Sequence, residues 1–355
     1  MDIKEMLNST IERKASDLHL IAGIPATLRI NGVLSYLDED VLSEEILRGF
    51  LEQIVEDELK RKRFFEEKEL DLTYELKGKA RFRANVYYQG GSIAYAVRLI
   101  PADIPKLEDL NLPKTLRDLT NKPNGLVLVT GPTGSGKSTT LASMIDVINN
   151  ERSLHVVTVE DPIEFVYTPK QCIISQREVG EDTFSFGDAL KHVLRQDPDV
   201  ILIGEMRDLE TMQAAITAAE TGHLVFSTLH TTSASQTIER IIDVFPPHQQ
   251  SQIRSQLSIT LRAVITQRLL KRSDGLGRVP TTEVLVATPA IKTLIRNGKT
   301  YQIYSSIETG QEYGMHTMEQ DLNGLVQKGM VDADDAEFEA NIMGSITHQR
   351  GKSYT

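Results

Sequence analysis

Gly131-Pro132-Thr133-Gly134-Ser135-Gly136-Lys137-Ser138-Thr139 decides the fold. The stretch fits the phosphate-binding loop pattern G-x-x-x-x-G-K-[ST], whose mechanics require a strand before it and a helix after it. Both are legible. Leu126-Val127-Leu128-Val129 is an apolar run that predicts a buried strand, and Leu141, Met144, Ile145 and Ile148 follow at helical spacing. In that context the loop's backbone N–H groups and the helix N-terminus converge on one concavity, which suits a polyphosphate. Gly131, Thr133, Gly134, Ser135, Gly136, Lys137, Ser138 and Thr139 are thus the expected nucleotide-binding residues. Lys137 is expected to reach the β- and γ-phosphates, and the Ser138 hydroxyl to ligate Mg²⁺. The chain is expected to bind a nucleoside triphosphate.

Outward from the loop, strands and helices alternate from residue 125: strands at 126–130, 155–160, 200–204 and 223–229, and helices at 138–149, 186–195, 209–221 and 233–243. That rhythm predicts an α/β domain with a largely parallel sheet covered on both faces. After Pro246-Pro247 the pattern reads as mostly helical, with one strand at 279–286. Towards the N-terminus, Pro101, Pro105 and Pro113 punctuate residues 99–113, which read as an interdomain linker. Before it, a helix over 1–15, short strands at 18–21 and 26–30 with Asn31-Gly32 as a turn, a helix after Ser43, and a meander at 70–76, 80–88 and 92–100 make a small α+β domain. The expected organisation is residues 1–98, linker 99–113, nucleotide-binding core 114–271 and a mostly helical part at 272–355.

Phosphoryl transfer needs a metal, a positioned water and positive charge at the γ-phosphate. Two acidic groups stand where apolar strands end: Glu160-Asp161-Pro162-Ile163-Glu164 after Val156-Val157-Thr158-Val159, and Glu205 after Val200-Ile201-Leu202-Ile203-Gly204. In open α/β sheets the site lies at the carboxyl ends of the strands, which puts both groups near the Lys137 loop. The second run looks like a Walker B strand with Glu where Asp is usual. Isolated carboxylates of this kind more often cap helices or pair with a neighbour such as Arg207, but two clusters at the ends of two apolar strands beside a phosphate loop favour the functional reading. His230 ends a third strand, and two readings stand: a satisfied structural histidine, or a group that senses the γ-phosphate. Arg81 and Arg83 alternate with Phe82 and Ala84, so they share one face of a strand, and Arg98 ends the next strand. By themselves these arginines read as a solvated basic face. Arg195 and Arg207 flank the Walker B strand as candidate ion-pair partners.

Composition bounds the alternatives. The 355 residues are 40% apolar and 25% charged, ordinary for a globular protein of two domains. No apolar run reaches the ~18–20 residues of a membrane span, and Met1-Asp2-Ile3-Lys4-Glu5 lacks a signal-peptide pattern. The single cysteine, Cys172, excludes an internal disulfide and a CxxC zinc ribbon. A cytosolic location is expected. The net charge of −11 argues against a nucleic-acid partner.

At the strand ends the chain resembles a known family. Val159-Glu160-Asp161-Pro162-Ile163-Glu164 resembles the Asp box of the secretion-type ATPases. Residues 197–208, from Asp197-Pro198-Asp199 to Met206-Arg207-Asp208, resemble their Walker B motif. Gly222-His223-Leu224-Val225-Phe226-Ser227-Thr228-Leu229-His230-Thr231-Thr232 resembles their His box. The likeness covers nearly the whole chain, including Ser16-Asp17-Leu18-His19-Leu20, and is strongest to the PilT family of type IV pilus retraction ATPases. Ala290-Ile291-Lys292-Thr293-Leu294-Ile295-Arg296-Asn297 is similar to that branch's AIRNLIRE motif and departs from it at Lys292, Thr293 and Asn297.

The resemblance implies a PAS-like N-terminal domain, a RecA-like P-loop ATPase domain with a helical C-terminal extension, and a ring of six. It implies ATP and ADP bound with Mg²⁺ between the two domains and against a neighbouring subunit. Glu164 becomes the expected water-activating base and Glu205 the acid near Mg²⁺, directly or through water. Arg81, Arg83 and Arg98 become candidates for contact with the phosphates. It also implies a motor at the cytoplasmic face of the bacterial inner membrane, acting on a PilC-like platform protein, with a possible accessory paralogue. Rival readings are a pilus-assembly or type II secretion ATPase, a nucleic-acid motor, a non-hydrolytic ATP-dependent regulator and a small-molecule kinase. Assembly relatives usually carry an extra N-terminal domain and often a tetracysteine zinc element, so retraction is the expectation.

Overall fold

The computed structural model describes residues 2–30, 32–100 and 103–340. Asn31 of the expected turn, Pro101 of the expected linker and the final residues 341–355 lie outside them. By its internal contacts the chain divides into two compact units: Met1–Asp103 with Glu164–Val166, and Ile104–Ile163 with Tyr167–Thr355.

The first unit is α+β and PAS-like. In chain order it runs α1 (Ile3–Glu12), β1 (Asp17–Leu20), β2 (Pro25–Ile30), β3 (Val33–Val41), α2 (Glu44–Ile54), α3 (Glu58–Glu67), β4 (Glu69–Leu76), β5 (Ala80–Gln89) and β6 (Ser92–Ile100). The six strands form one antiparallel sheet in the order β3-β2-β1-β6-β5-β4. Ser43 caps α2 as its position in the sequence predicts, its hydroxyl accepting from Ile46 N. Leu47, Phe50, Leu51 and Ile54 then line one face and pack with Phe82, Val97 and Tyr95. The buried Tyr95 hydroxyl is satisfied by donating to Leu47 O at 2.7 Å. Sequence periodicity missed α3, in which Phe64 alone is buried. A helix with one inward residue has no apolar stripe to detect.

The second unit is RecA-like and holds α4 (Thr115–Thr120), β7 (Gly125–Thr130), α5 (Lys137–Glu151), β8 (His155–Glu160), β9 (Ile173–Glu178), α6 (Phe186–Val193), β10 (Val200–Ile203), α7 (Leu209–Glu220) and β11 (Leu224–Leu229). It continues through α8 (Ala234–Asp243), α9 (Pro247–Thr260), β12 (Leu261–Lys271), β13 (Arg278–Val286), α10 (Pro289–Arg296), α11 (Ile303–Glu308) and α12 (Met318–Gln327). The seven strands lie in the order β13-β12-β7-β11-β10-β8-β9, and every pairing is parallel except β12 with β13. β7, β10 and β11 are buried along their whole length, as strands covered on both faces must be.

One expectation is corrected. The stretch after Pro246-Pro247 is not helical up to residue 279, because β12 begins where α9 ends and joins the sheet beside β7. Residues 104–106 and the 3₁₀ turn Leu107–Leu110 fall within the second unit, where Ser143 Oγ on α5 donates to Pro105 O at 2.7 Å.

Candidate active site

The phosphate-binding loop leaves β7 at Thr130 and enters α5 at Lys137. Its glycines are there for their backbone. Gly131 has φ +140°, and a Cβ on it would stand 2.2 Å from the carbonyl oxygen of Gln267, a fixed backbone atom. Gly136 is the N-cap of α5 in the left-handed region, and no side chain caps this helix. The first-turn N–H groups of a 15-residue helix are therefore open to an anion. Ser135 Oγ is buried and has no hydrogen-bond partner among the described residues. Lys137 is buried, and its Nζ donates to Gly131 O at 2.9 Å and Pro132 O at 3.0 Å. The ammonium is thus drawn back onto the loop's own carbonyls, from which a more basic phosphate oxygen can take it. An uncapped helix end, a buried lysine and an orphaned hydroxyl on one loop suit a polyphosphate.

Register places the other groups. β11 pairs with β7 so that Leu229 stands beside Thr130, and β10 pairs with β11 so that Ile203 stands beside Ser227. The loop, His230 and Glu205 therefore follow the carboxyl ends of three consecutive strands, spaced about 4.8 Å apart. Glu205 is the hub. Its Oε1 lies 2.5 Å from Arg207 Nε and its Oε2 lies 3.4 Å from His230 Nε2. The Arg207 pairing anticipated for an ordinary surface carboxylate is present, and the histidine joins the same carboxylate. Arg207 is 73% exposed against 18% for Glu205, so the arginine is the partner free to leave. Thr228 stitches the two strand ends together: its hydroxyl donates to Gly204 O at 2.6 Å and its carbonyl accepts from Met206 N at 3.1 Å. Arg195 is exposed and has no ion pair among the described residues.

The acidic group after β8 separates into two kinds of residue. Glu160 is buried and accepts from Thr158 Oγ1 at 2.7 Å, a structural arrangement. Glu164 is exposed. The segment that carries it is held on both sides by β9, where Glu178 accepts from Ile163 N at 3.1 Å and Gln176 accepts from Tyr167 N at 3.0 Å. These two anchors were not foreseen, because β9 is a half-polar strand at the sheet edge with no alternation to reveal it.

In the first unit, the three candidate arginines share one face of the sheet. Arg83 stands directly opposite Arg98, and Arg81 lies two residues before Arg83 on the same strand. Arg98 Nε donates to Asp17 at 2.8 Å, and Arg81 lies 3.6 Å from Glu75. Burial pushes the Asp17 carboxyl up, but hydrogen bonds from Arg98 and Ser16 outweigh it and hold the group below its ordinary range. Arg83 is exposed, with no ion pair among the described residues. No group of three or more His, Cys, Asp or Glu able to hold a metal occurs among the described residues. No helix among them is long and apolar enough to cross a membrane.

Loop, acid and histidine on consecutive strand ends of a RecA-like sheet define a P-loop nucleotide hydrolase. The chain belongs to the type II/IV secretion system protein family, whose model matches residues 1–337, and it is an ATPase. It is 47% identical to the "Type IV pilus retractation ATPase PilT" of Pseudomonas aeruginosa over 342 residues, 96% of this chain and 99% of that one. It is 48% identical to the "Twitching motility protein" of Neisseria gonorrhoeae over 311 residues, 88% of this chain and 83% of that one. Among solved structures it superposes on the pilus retraction motor PilT with bound ADP at a TM-score of 0.89 and 48% identity, covering 95% of this chain and 96% of that one.

Proposed function

We propose that this chain is the ATP-hydrolysing motor of type IV pilus retraction, working as a homohexamer. The observation that carries this reading is the 47% identity over 96% of the chain to a type IV pilus retraction ATPase, and the strand ends that put Glu205, with His230 on its carboxylate, at the same edge of the sheet as the Lys137 loop support hydrolysis. That is a site for hydrolysis with a built-in reporter. When the γ-phosphate leaves, the charge balance around Glu205 changes, and His230 carries the change into the turn that leads to α8. Lys137 holds the β- and γ-phosphates. Ser138 and Glu205 offer the hard oxygen donors that suit Mg²⁺, which takes few protein ligands besides phosphate and water. Bound there, the ion neutralises phosphate charge as it develops.

Glu164 is proposed as the base that orients and deprotonates the attacking water. The resemblance of Val159-Glu160-Asp161-Pro162-Ile163-Glu164 to the family's Asp box supports that role. Arg81, Arg83 and Arg98 are proposed to supply positive charge to the phosphates. A nucleotide that binds one arrangement of the subunits better than another shifts their equilibrium, and hydrolysis withdraws the bias. Six subunits firing in turn would work on an inner-membrane platform protein of the PilC kind at the cytoplasmic face, with a possible accessory paralogue.

Steady-state ATP turnover of wild type against Glu164→Gln, with mass measurement in ATP, tests the scheme. The variant should lose at least about a hundredfold in kcat while still binding ATP, the range for a removed general base. Turnover equal to wild type, or a chain that stays monomeric with ATP, would contradict it.

A further inference from the structure

Gln267 is a polar side chain deep in the second unit, 2% exposed, on a strand whose sequence did not announce itself. β12 runs parallel to β7 with Thr266 beside Thr130, so Gln267 comes one residue later, alongside Gly131 where the phosphate-binding loop begins. Both halves of its carboxamide are used. Oε1 accepts from the Thr140 hydroxyl in the first turn of α5 at 2.8 Å, and Nε2 donates to the Ser135 carbonyl inside the loop at 2.7 Å. Its main-chain oxygen is the atom that forbids a side chain at Gly131, and its Nε2 lies 2.8 Å from where a Cβ on Gly136 would stand. One residue thus touches the beginning, the middle and the helical end of the loop.

Such a bridge is more than filler. A methionine occupies a similar volume and leaves a loop carbonyl and a helix hydroxyl without their buried partner. The two bonds also point in opposite senses, so the amide can sit only one way round, and that ties Ser135 O to β12. With that carbonyl and the Thr140 hydroxyl both held by one side chain, the loop and the first turn of α5 keep their relative position before an anion arrives. Groups arranged in advance need no ordering at the moment of binding.

We propose that Gln267 is a positioning residue for nucleotide binding, its carboxamide bracing the phosphate-binding loop against α5 in the conformation that receives the phosphates. The inference rests on reading residues 131–139 as the nucleotide site.

The test is titration of the full chain with fluorescent ADP, joined to steady-state ATP kinetics, for wild type, Gln267→Met, Thr140→Val and Lys137→Ala. Gln267→Met should raise the ADP Kd about tenfold, the scale of one buried hydrogen bond. KM for ATP should rise with it, and kcat should fall less than KM rises. A role in stability alone would lower the unfolding midpoint and leave Kd in place. Thr140→Val removes one of the two bonds and keeps the side-chain volume, so a rise of about threefold is expected. This variant decides the matter alone if Gln267→Met does not fold. Wild-type Kd in both variants, with binding lost in Lys137→Ala, would overturn the bracing role and leave the site intact. Wild-type Kd in Lys137→Ala would overturn the site itself.

Discussion

Arg83 and Arg98 face each other across β5 and β6, yet only Arg98 has a carboxylate beside it. The sequence offered Arg81, Arg83 and Arg98 as equals, because alternation along a strand tells which residues share a face and nothing about their counter-ions. Asp17 is 81 residues from Arg98, and Glu75 meets Arg81 across the β4–β5 pairing. An arginine already paired must give up its partner to bind a phosphate, and Arg83 need not. Arg83→Ala should therefore slow hydrolysis by at least tenfold, a modest share of what an arginine at a γ-phosphate is worth, with hexamer mass unchanged. Unaltered kinetics would return Arg83 to the solvated face. Glu205 teaches the same lesson. Its strand-end place and its Arg207 neighbour were legible, whereas His230, 25 residues away, joins it only when the strands are paired.

At the scale of elements, the phosphate-binding loop was readable because its strand, glycines and helix are contiguous. β12 was not readable, because α9 passes into it without a glycine or proline between them. Ile253, Leu257 and Leu261 continue the helical spacing into its first residue. The missed strand is the wall behind the loop, so the packing that makes Gly131 obligatory was hidden with it. Comparison of Gly131→Ala with Gly222→Ala isolates that wall. Both glycines have positive φ, +140° and +107°, but a Cβ at Gly222 meets nothing within 4 Å. Gly222→Ala should cost about 1–2 kcal/mol of backbone strain. Gly131→Ala must also displace Gln267 O and should cost more than about 3 kcal/mol by denaturant unfolding. Equal costs would mean that β12 yields freely.

At the scale of the whole molecule, each unit has its own core: one built on Phe50, Phe82 and Tyr95, the other on the central strands β7, β10 and β11. Inside the second unit, Glu283 on β13 is buried and accepts from Ala234 N at the start of α8, at 2.7 Å. Burial raises its carboxyl from an ordinary 4.5 to about 7, against the lowering effect of the Ala234 N–H. The folded chain therefore holds this proton more tightly than the unfolded chain. The resulting stability is complete below 4.5 and is lost as pH rises through about 7. The gap corresponds to at most about 3 kcal/mol. Wild type should thus lose stability between pH 4.5 and about 7 relative to Glu283→Gln, which keeps the acceptor and cannot ionise. Parallel unfolding profiles would remove Glu283 as a source of pH dependence.

ATP turnover by this chain is expected to shorten pili. The most direct measurement is the number of surface pili per cell in a retraction-deficient bacterium that carries this chain or its Glu164→Gln variant. Wild type should lower the count and restore twitching, and the variant should leave the cells hyperpiliated and immobile. An unchanged count with wild type, or new pili in a strain that has none, would contradict retraction.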